Sequence, residues 1–273
     1  MSRLLVSTFI RMLKKVIFWF FVLCMFAYGV YSALNIASEA RIGFVLDGCL
    51  FECLPLMGLI SAIFTSLFIG SEYSDGTIRN KIIVGHSRIR IYLANLIVCA
   101  IASVLISLSY TVGVFVIGNM NGGELITETA TIFLCMISSL MISVTFASIM
   151  TLLAILNTNK AGNVVVSMIL ALVLLVSGSF IHQKLGEPKL YDNYVTVNEM
   201  GIPTQVEQLP NPQYIEGTPR IVLEVLSDLL PSGQAIQLAD AFDTEGMTDE
   251  SIANAPYRWM GYSPVSYTHL RAH

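Results

Sequence analysis

The sequence predicts an all-α polytopic membrane protein, on the basis of its composition, its hydropathy and the spacing of its apolar segments. Hydrophobic residues make up 55% of the 273 residues and charged residues only 12%, whereas about 25% charged residues is typical of soluble domains. The mean hydropathy is +0.70. Five segments reach roughly the 20 apolar residues that a span needs. A backbone in lipid must satisfy its own hydrogen bonds, so these segments are expected to be helices.

The five predicted spans form a transmembrane domain over residues 16–181: they are 16–36, 49–70, 91–117, 131–156 and 163–181. A basic arm, residues 1–15, precedes them. The first apolar segment is too long for a signal peptide and lacks a small-residue cleavage site, which favours an uncleaved span.

Basic residues alternate between the loops. Nine of the fifteen Lys and Arg residues lie in the N-terminal arm, in the loop 71–90 and in the turn 157–162. Basic loops stay on the cytoplasmic side of a membrane. We therefore expect a cell-membrane protein whose N-terminus and 71–90 loop face the cytoplasm.

Residues 182–260 are predicted to form an exterior, partly helical region. They hold twelve Asp or Glu against four Lys or Arg, which argues against binding nucleic acid. Within them, Thr218 is a candidate cap and Pro219 a first helical residue, and Pro231 and Gly233 would end the helix. Its apolar stripe would either cover the outer ends of the spans or lie in the lipid interface.

The end of the chain suggests a missing sixth span. PYRWMGYS, residues 256–263, has the aromatic and basic character of a membrane interface, but no apolar segment follows. Residues 261–273 end in PVSYTHLRAH, which resembles translated sequencing-adapter read-through. We expect this tail to be non-native or truncated; the alternative is a genuine short exterior tail.

The five cysteines indicate neither disulfides nor a metal site. Three lie inside apolar segments, and Cys49 and Cys53 lie at the start of another. Cysteines in such positions are small hydrophobic residues, and no cluster of His or carboxylates completes a ligand set.

The charged segment SEYSDGTIRNKIIVGHSR, residues 71–88, separates the second and third spans. Thr77 would cap a short helix and Gly85 would end it. Its apolar edge would be Ile78, Ile82 and Ile83, with Arg79, Asn80 and Lys81 in solvent. Ser87 would cap the next helix.

This segment resembles the E-x-x-x-G-T-(I/L)-(R/K) cytoplasmic element of permease subunits of ABC-2 type ATP-binding-cassette transporters. Glu72, Gly76, Thr77 and Arg79 match in register. NPQYIEGTPRIVLEVLSDLLPSGQAIQLAD, in the exterior region, is similar to an exterior loop of one subgroup of these permeases. Together the resemblance covers nearly the whole chain.

The resemblance implies that the short helix is a coupling helix seated in a groove of a separate ABC ATPase subunit. Ile78, Ile82 and Ile83 would anchor it, Arg79 and Lys81 would orient the contact, and Glu72 would hold the segment. Two ATPase copies and a second permease subunit, identical or paralogous, are the implied partners, with membrane lipid around them.

Catalytic residues are not expected in this chain. It contains no G-x-x-x-x-G-K-(S/T) phosphate-binding loop, and no nucleophile, base and orienting group occur together. We expect ATP and Mg²⁺ to bind to the partner subunit and no cofactor to bind here.

Few polar groups within the spans are candidates for a substrate path. Glu52 lies near the outer end of the second span, and Ser139 and Ser143 lie in the fourth. Ionisable groups in spans often mark ion or proton pathways, but a snorkelling or locally hydrogen-bonded carboxylate explains Glu52 as well. The serines also suit close helix packing.

The leading hypothesis is therefore the permease subunit of an ATP-driven exporter that moves a lipid-like, peptide-like or drug-like substrate outward. One alternative is an ATP-independent secondary transporter in which Glu52 is the coupling group. Another is a non-transporting membrane sensor or assembly protein, in which residues 182–260 bind a partner.

Overall fold

The computed structural model describes residues 2–39, 45–157, 159–190, 195–197, 203–205 and 210–242. These residues form nine α-helices: α1 Ser2–Lys14, α2 Val16–Glu39, α3 Leu54–Ser74, α4 Thr77–Ile83, α5 Arg88–Met120, α6 Thr129–Leu156, α7 Lys160–Gly186, α8 Thr218–Leu229 and α9 Pro231–Asp240. A 3₁₀ turn, Asp47–Cys49, precedes α3. Two short strands, β1 Val195–Val197 and β2 Pro203–Gln205, pair antiparallel.

The predicted spans are confirmed. In the described residues, five helical segments are long and apolar enough to cross a membrane: Val16–Ser38, Asp47–Ser74, Arg88–Met120, Thr129–Leu156 and Lys160–Gly186. Each contains one predicted segment. Each extends past it at one or both ends. Two of the helices begin at polar caps outside the apolar stretch, where the Ser87 and Asn159 side chains accept hydrogen bonds from the backbone N–H groups of Arg90 and Ala161. The chain is an all-α polytopic membrane protein.

The main core lies between α2, α3, α5 and α6. Its largest fully buried side chains include Tyr110, Phe64, Phe68 and Phe146. Helices α2 and α5 approach closely at Gly29 and Gly113, where a Cβ would overlap the backbone of the other helix. Helix α7 joins α3 and α6 through a smaller cluster of Ala62, Met150 and Ala171, and much of its surface is exposed.

The N-terminal arm is a helix, which was not predicted from the sequence. Helix α1 buries Leu4, Thr8 and Met12 on one face, and Leu4 packs against Ile91 and Ala94 of α5. Its remaining faces are exposed or half-buried.

The region predicted to be exterior differs from the expectation in two ways. Helix α8 ends at Leu229, just before Pro231, as expected, but Pro231 also begins a second helix, α9, because proline is favoured in the first turn of a helix. Moreover, α9 rather than α8 covers the ends of the spans away from α4: Ala235 and Leu238 join the main core, and the Phe242 ring lies 4.8 Å from that of Phe51. Residues 243–273, where the missing span and the non-native tail are expected, lie outside the described residues.

The apolar stripe of α8 faces away from the protein. Its exposed residues are Ile221, Val222, Val225, Leu226 and Leu229. The opposite side buries Ser227 completely, and Gln237 of α9 donates a hydrogen bond of 2.6 Å to the Ser227 hydroxyl. Of the two expectations for this stripe, covering the outer ends of the spans is therefore wrong.

Candidate functional site

Helix α4 is a separate seven-residue helix between the last residue of α3 and the first residue of α5. Gly76 precedes it with φ 66° and Gly85 follows it with φ 96°, conformations that favour glycine. The backbone N–H of Gly85 bonds to the Ile82 carbonyl and that of His86 to the Lys81 carbonyl, which is a Schellman closure. Gly85 thus ends the helix as predicted. The expected cap is wrong by one residue, since Thr77 is helical and Gly76 is the N-cap.

Glu72 is fully buried and forms the centre of the site. Its Oε1 lies 2.6 Å from Lys81 Nζ and also contacts the guanidinium of Arg11. The Asn95 Nδ2 donates to Glu72 Oε2 at 2.7 Å. A buried carboxylate is costly unless cations and hydrogen-bond donors compensate its charge, and these three side chains do so.

The contacts of Glu72 join four helices. Arg11 belongs to α1, Lys81 to α4 and Asn95 to α5, while Glu72 lies on α3. The guanidinium of Arg11 also lies 4.7 Å from the centre of the Phe68 ring on α3. Lys81 Nζ donates to the Thr8 hydroxyl at 3.4 Å. We call Thr8, Arg11, Glu72, Lys81 and Asn95 the Glu72 cluster.

The residues that α4 exposes and those that it turns towards the protein differ from the predicted pattern. Lys81 does not stay in solvent; its side chain is 12% exposed and turns inward to Glu72. Ile82 and Ile83 lie on the outward side, 41% and 72% exposed, together with Arg79. Thr77 and Ile78 are half-buried. The reason is that the uncompensated charge of buried Glu72 would cost more than exposing an isoleucine.

Three members of the Glu72 cluster were not predicted from the sequence: Thr8, Arg11 and Asn95. Asn95 carried a usable signal, because an amide inside an apolar span requires a hydrogen-bond partner. Arg11 carried a weaker one, since it lies in an arm whose apolar residues recur at helical spacing. Neither signal identifies Glu72 as the partner, 61 residues from Arg11 and 23 from Asn95.

A family model described as "ABC-2 family transporter protein" matches residues 5–178. The chain belongs to the ABC-2 transporter family. No curated protein matches it, and no solved structure does. The match covers most of α1, all of α2 to α6 and most of α7, and so contains every member of the Glu72 cluster; α8 and α9 lie beyond it.

Membership makes the chain a multi-pass permease of an ABC-type transporter. Permeases of this family are membrane transport components that associate in general with an ATPase subunit.

Glu52 of this ABC-2 permease lies far from the Glu72 cluster. It precedes the first residue of α3, whereas Glu72 lies near the end of that helix, roughly 30 Å away at 1.5 Å per residue. The Ser32 hydroxyl donates to Glu52 Oε2 at 2.5 Å, and the Tyr110 hydroxyl lies 3.3 Å from that of Ser32. Glu52 is thus part of a local hydrogen-bonded network between α2, α5 and the start of α3.

Ser139 and Ser143 lie in the packing between helices. Ser143 is fully buried and its hydroxyl donates to the Ser139 carbonyl at 2.9 Å, while Ser139 donates to the Met136 carbonyl at 2.7 Å. Ser103 of α5 donates to the Ser143 carbonyl at 3.1 Å. This placement favours the packing alternative over a substrate path within one chain.

The described residues include no group of three His, Cys, Asp or Glu side chains that would hold a metal ion. Of the described cysteines, Cys24 is exposed and Cys49, Cys53, Cys99 and Cys135 are buried.

Proposed function

We propose that this permease is the membrane subunit of an ATP-driven exporter and that α4 is its coupling helix. In this proposal two copies of a separate ATPase subunit bind ATP and Mg²⁺ in the cytoplasm, and this chain binds no cofactor. A second permease subunit, identical or paralogous, completes the transport path. The N-terminus and α4 face the cytoplasm of the cell membrane, and the substrate moves outward.

The observation that carries the proposal is the difference between the two sides of α4. Its inner side is held by the Lys81–Glu72 ion pair, with Glu72 wholly buried. Its outer side presents Arg79, Ile82 and Ile83 to solvent. Exposed apolar residues beside a cation are typical of a protein contact surface.

The Glu72 cluster connects α4 mechanically to the spans. Glu72 contacts Lys81 of α4, Arg11 of α1 and Asn95 of α5, so a displacement of α4 must either carry these helices with it or break a buried ion pair. Breaking such a pair costs about 3–5 kcal/mol. Packed helices then move as rigid bodies, as in hinge and shear motions.

A capture experiment tests the proposal with two matched variants. Ile83 on α4 is 72% exposed and Ile126, on the loop between α5 and α6, is 74% exposed. We expect Ile83→Asp to lose an ATPase that co-purifies with the wild type, and Ile126→Asp to keep it, because only α4 would enter the ATPase groove. The captured subunit is identified by mass spectrometry through its phosphate-binding loop.

If both variants retain the ATPase, α4 is not part of the surface that binds the ATPase subunit. Direction is tested separately in inside-out vesicles holding both subunits: ATP should drive uptake of fluorescent lipid-like or drug-like probes. If uptake occurs without ATP and the substitution Glu52→Gln abolishes it, the result would instead support an ATP-independent secondary transporter.

A further inference from the structure

The first turn of α5 projects beyond the helices around it. Its residues Arg88, Ile89 and Arg90 are all exposed. At 3.6 residues per turn, three consecutive residues cover about 200° of the helix circumference, so most sides of this turn are uncovered. The next residue, Ile91, is buried against Leu4 of α1. We call Arg88, Ile89 and Arg90 the α5 turn.

The α5 turn is held in a fixed position next to α4. Only residues 84–87 separate the two helices. At the start of this segment the backbone N–H groups of Gly85 and His86 bond back to α4, and at its end the Ser87 hydroxyl accepts from the backbone N–H of Arg90 at 3.4 Å. A surface that is ordered before binding loses less entropy when a partner associates.

Contacts at the end of α3 place α4 and the α5 turn side by side. Lys81 of α4 contacts Glu72 of α3. Arg88 lies near enough to Tyr73, the next residue of α3, for its charge to act on the phenol. The Tyr73 hydroxyl is fixed in turn by a hydrogen bond of 2.8 Å to the Ile155 carbonyl of α6. The outward side of α4 and the α5 turn therefore adjoin and form one surface.

This combined surface is apolar and carries unpaired arginines. Its exposed apolar residues are Ile82, Ile83, Val84 and Ile89, of which Val84 is 77% and Ile89 71% exposed. Its arginines, Arg79, Arg88 and Arg90, form no ion pair in the part of the chain that the structure describes. The exposed carboxylate of residues 74–90 is Asp75, so positive charge predominates.

We propose that the α5 turn and the outward side of α4 together bind an acidic, apolar-lined groove of the ATPase subunit. This inference rests on the proposed function and extends it to a second element and to the chemistry of the partner. The isoleucines and Val84 enter the apolar part of the groove, and the arginines pair with carboxylates at its rim. Guanidinium groups bind carboxylates through two parallel hydrogen bonds, and arginine is enriched at protein interfaces.

Binding of the purified ATPase to the full-length permease tests this surface. The ATPase is the subunit captured with the wild type, and the permease is reconstituted into nanodiscs of phosphatidylcholine, which carries no net charge. We expect Arg88→Gln, Arg90→Gln to raise the Kd roughly tenfold at 0.1 M salt, mainly through slower association. The difference from the wild type should nearly disappear in 1 M salt, which screens the charges.

The matched control is Lys14→Gln, Lys160→Gln. Both lysines are exposed and lie at the same end of the bundle: Lys14 ends α1, and Lys160 begins α7, where its side chain lies beside Gly70 of α3. This variant should keep the Kd within about twofold of the wild type. Neither double variant should change the thermal unfolding of the permease, because all four residues are exposed.

Cross-linking gives a second readout that reports the contact directly. A carbodiimide joins an amine to a carboxylate without a spacer, so the substitution Arg88→Lys should allow a bond to the ATPase subunit. Mass spectrometry then identifies the linked carboxylate. The native Lys14 should give no such bond, since α1 lies outside the proposed surface.

A wild-type Kd for Arg88→Gln, Arg90→Gln would overturn the role of the α5 turn, and so would an equal loss in the lysine control. If the loss occurs only in nanodiscs that contain phosphatidylglycerol, the arginines bind lipid headgroups instead. The proposed function is judged separately by Ile83→Asp. If that variant loses the ATPase while the arginine variant keeps the wild-type Kd, α4 alone forms the contact. If the wild type captures no ATPase, both proposals are wrong.

Discussion

The two ends of the bundle hold their helices together by different means. At the end that carries α4, which we call the α4 end, one buried carboxylate compensates two cations and joins four helices. At the opposite end, which we call the α9 end, α8 and α9 are attached largely through small residues and hydrogen bonds of uncharged side chains. A Cβ on Gly178 of α7 would lie 2.9 Å from the Ser232 hydroxyl of α9, and Gln237 bonds to buried Ser227.

The difference predicts different responses to substitution. A charge cluster fails when any one member is lost, because the remaining charges are left buried without compensation. A contact made of small residues fails when a side chain becomes larger, because a packed backbone has no room to move. The α4 end is thus expected to be sensitive to charge and the α9 end to volume.

The largest expected effect follows from removing the charge of Glu72. Glu72→Gln keeps the size of the side chain but leaves Arg11 and Lys81 without a counter-charge, so the free energy of unfolding should fall by about 3–5 kcal/mol. The control is Asp75→Asn, which removes the same charge from an exposed residue three positions later and should change stability by less than about 0.5 kcal/mol. Thermal unfolding of the two purified proteins in detergent gives the comparison. Equal stability of the two variants would show that the ion cluster does not hold this end together.

Much of this charge-sensitive end was predictable from the sequence, but its inner contacts were not. The spans follow from hydropathy, since lipid selects apolar side chains directly. The extent of α4 follows from Gly76 and Gly85, which adopt positive φ on either side of it. The direction of Lys81 depends on the burial of Glu72 and on the approach of Arg11 from a distant helix, and no local pattern contains that information.

The α9 end was less predictable for a related reason. Proline disrupts the interior of a helix but is favoured in the first turn of a new helix. Pro231 therefore marks the end of α8 in the sequence without showing that α9 starts there. An apolar stripe such as that of α8 suits burial against protein and contact with lipid equally. Only the tertiary contacts of Ser227 and Gln237 show which side of α8 packs on the protein.

A smaller effect is expected from enlarging the contact between α8 and α9. A Cβ on Gly233 would overlap the carbonyl of Ser227, a backbone atom that cannot rotate away. Gly233→Ala should therefore lower the free energy of unfolding by about 1–3 kcal/mol, the usual cost of overpacking. At Gly186, the last residue of α7, a Cβ would meet no described atom within 4 Å. Gly186→Ala should accordingly leave the unfolding temperature nearly unchanged, and a matching loss in both variants would contradict the steric explanation.

The smallest expected effect tests whether the α9 end has any sensitivity to charge. His182 of α7 lies 3.2 Å from Asp240 of α9, and its hydrogen bond lowers the pKa of Asp240 from the ordinary value of 3.8. A carboxylate with a lowered pKa stabilises the fold above its ordinary pKa, and this contribution is lost as the pH falls through the lowered value. Because the Asp240 side chain is 53% exposed, solvent screening limits the contribution to less than about 1 kcal/mol. The stability difference between wild type and Asp240→Asn should thus be small at pH 6 and shrink further as the pH falls below 3.8. Other carboxylates titrate in both proteins, so the difference isolates Asp240. A difference of several kcal/mol would make the α9 end as dependent on charge as the Glu72 cluster, and the contrast between the two ends would not hold.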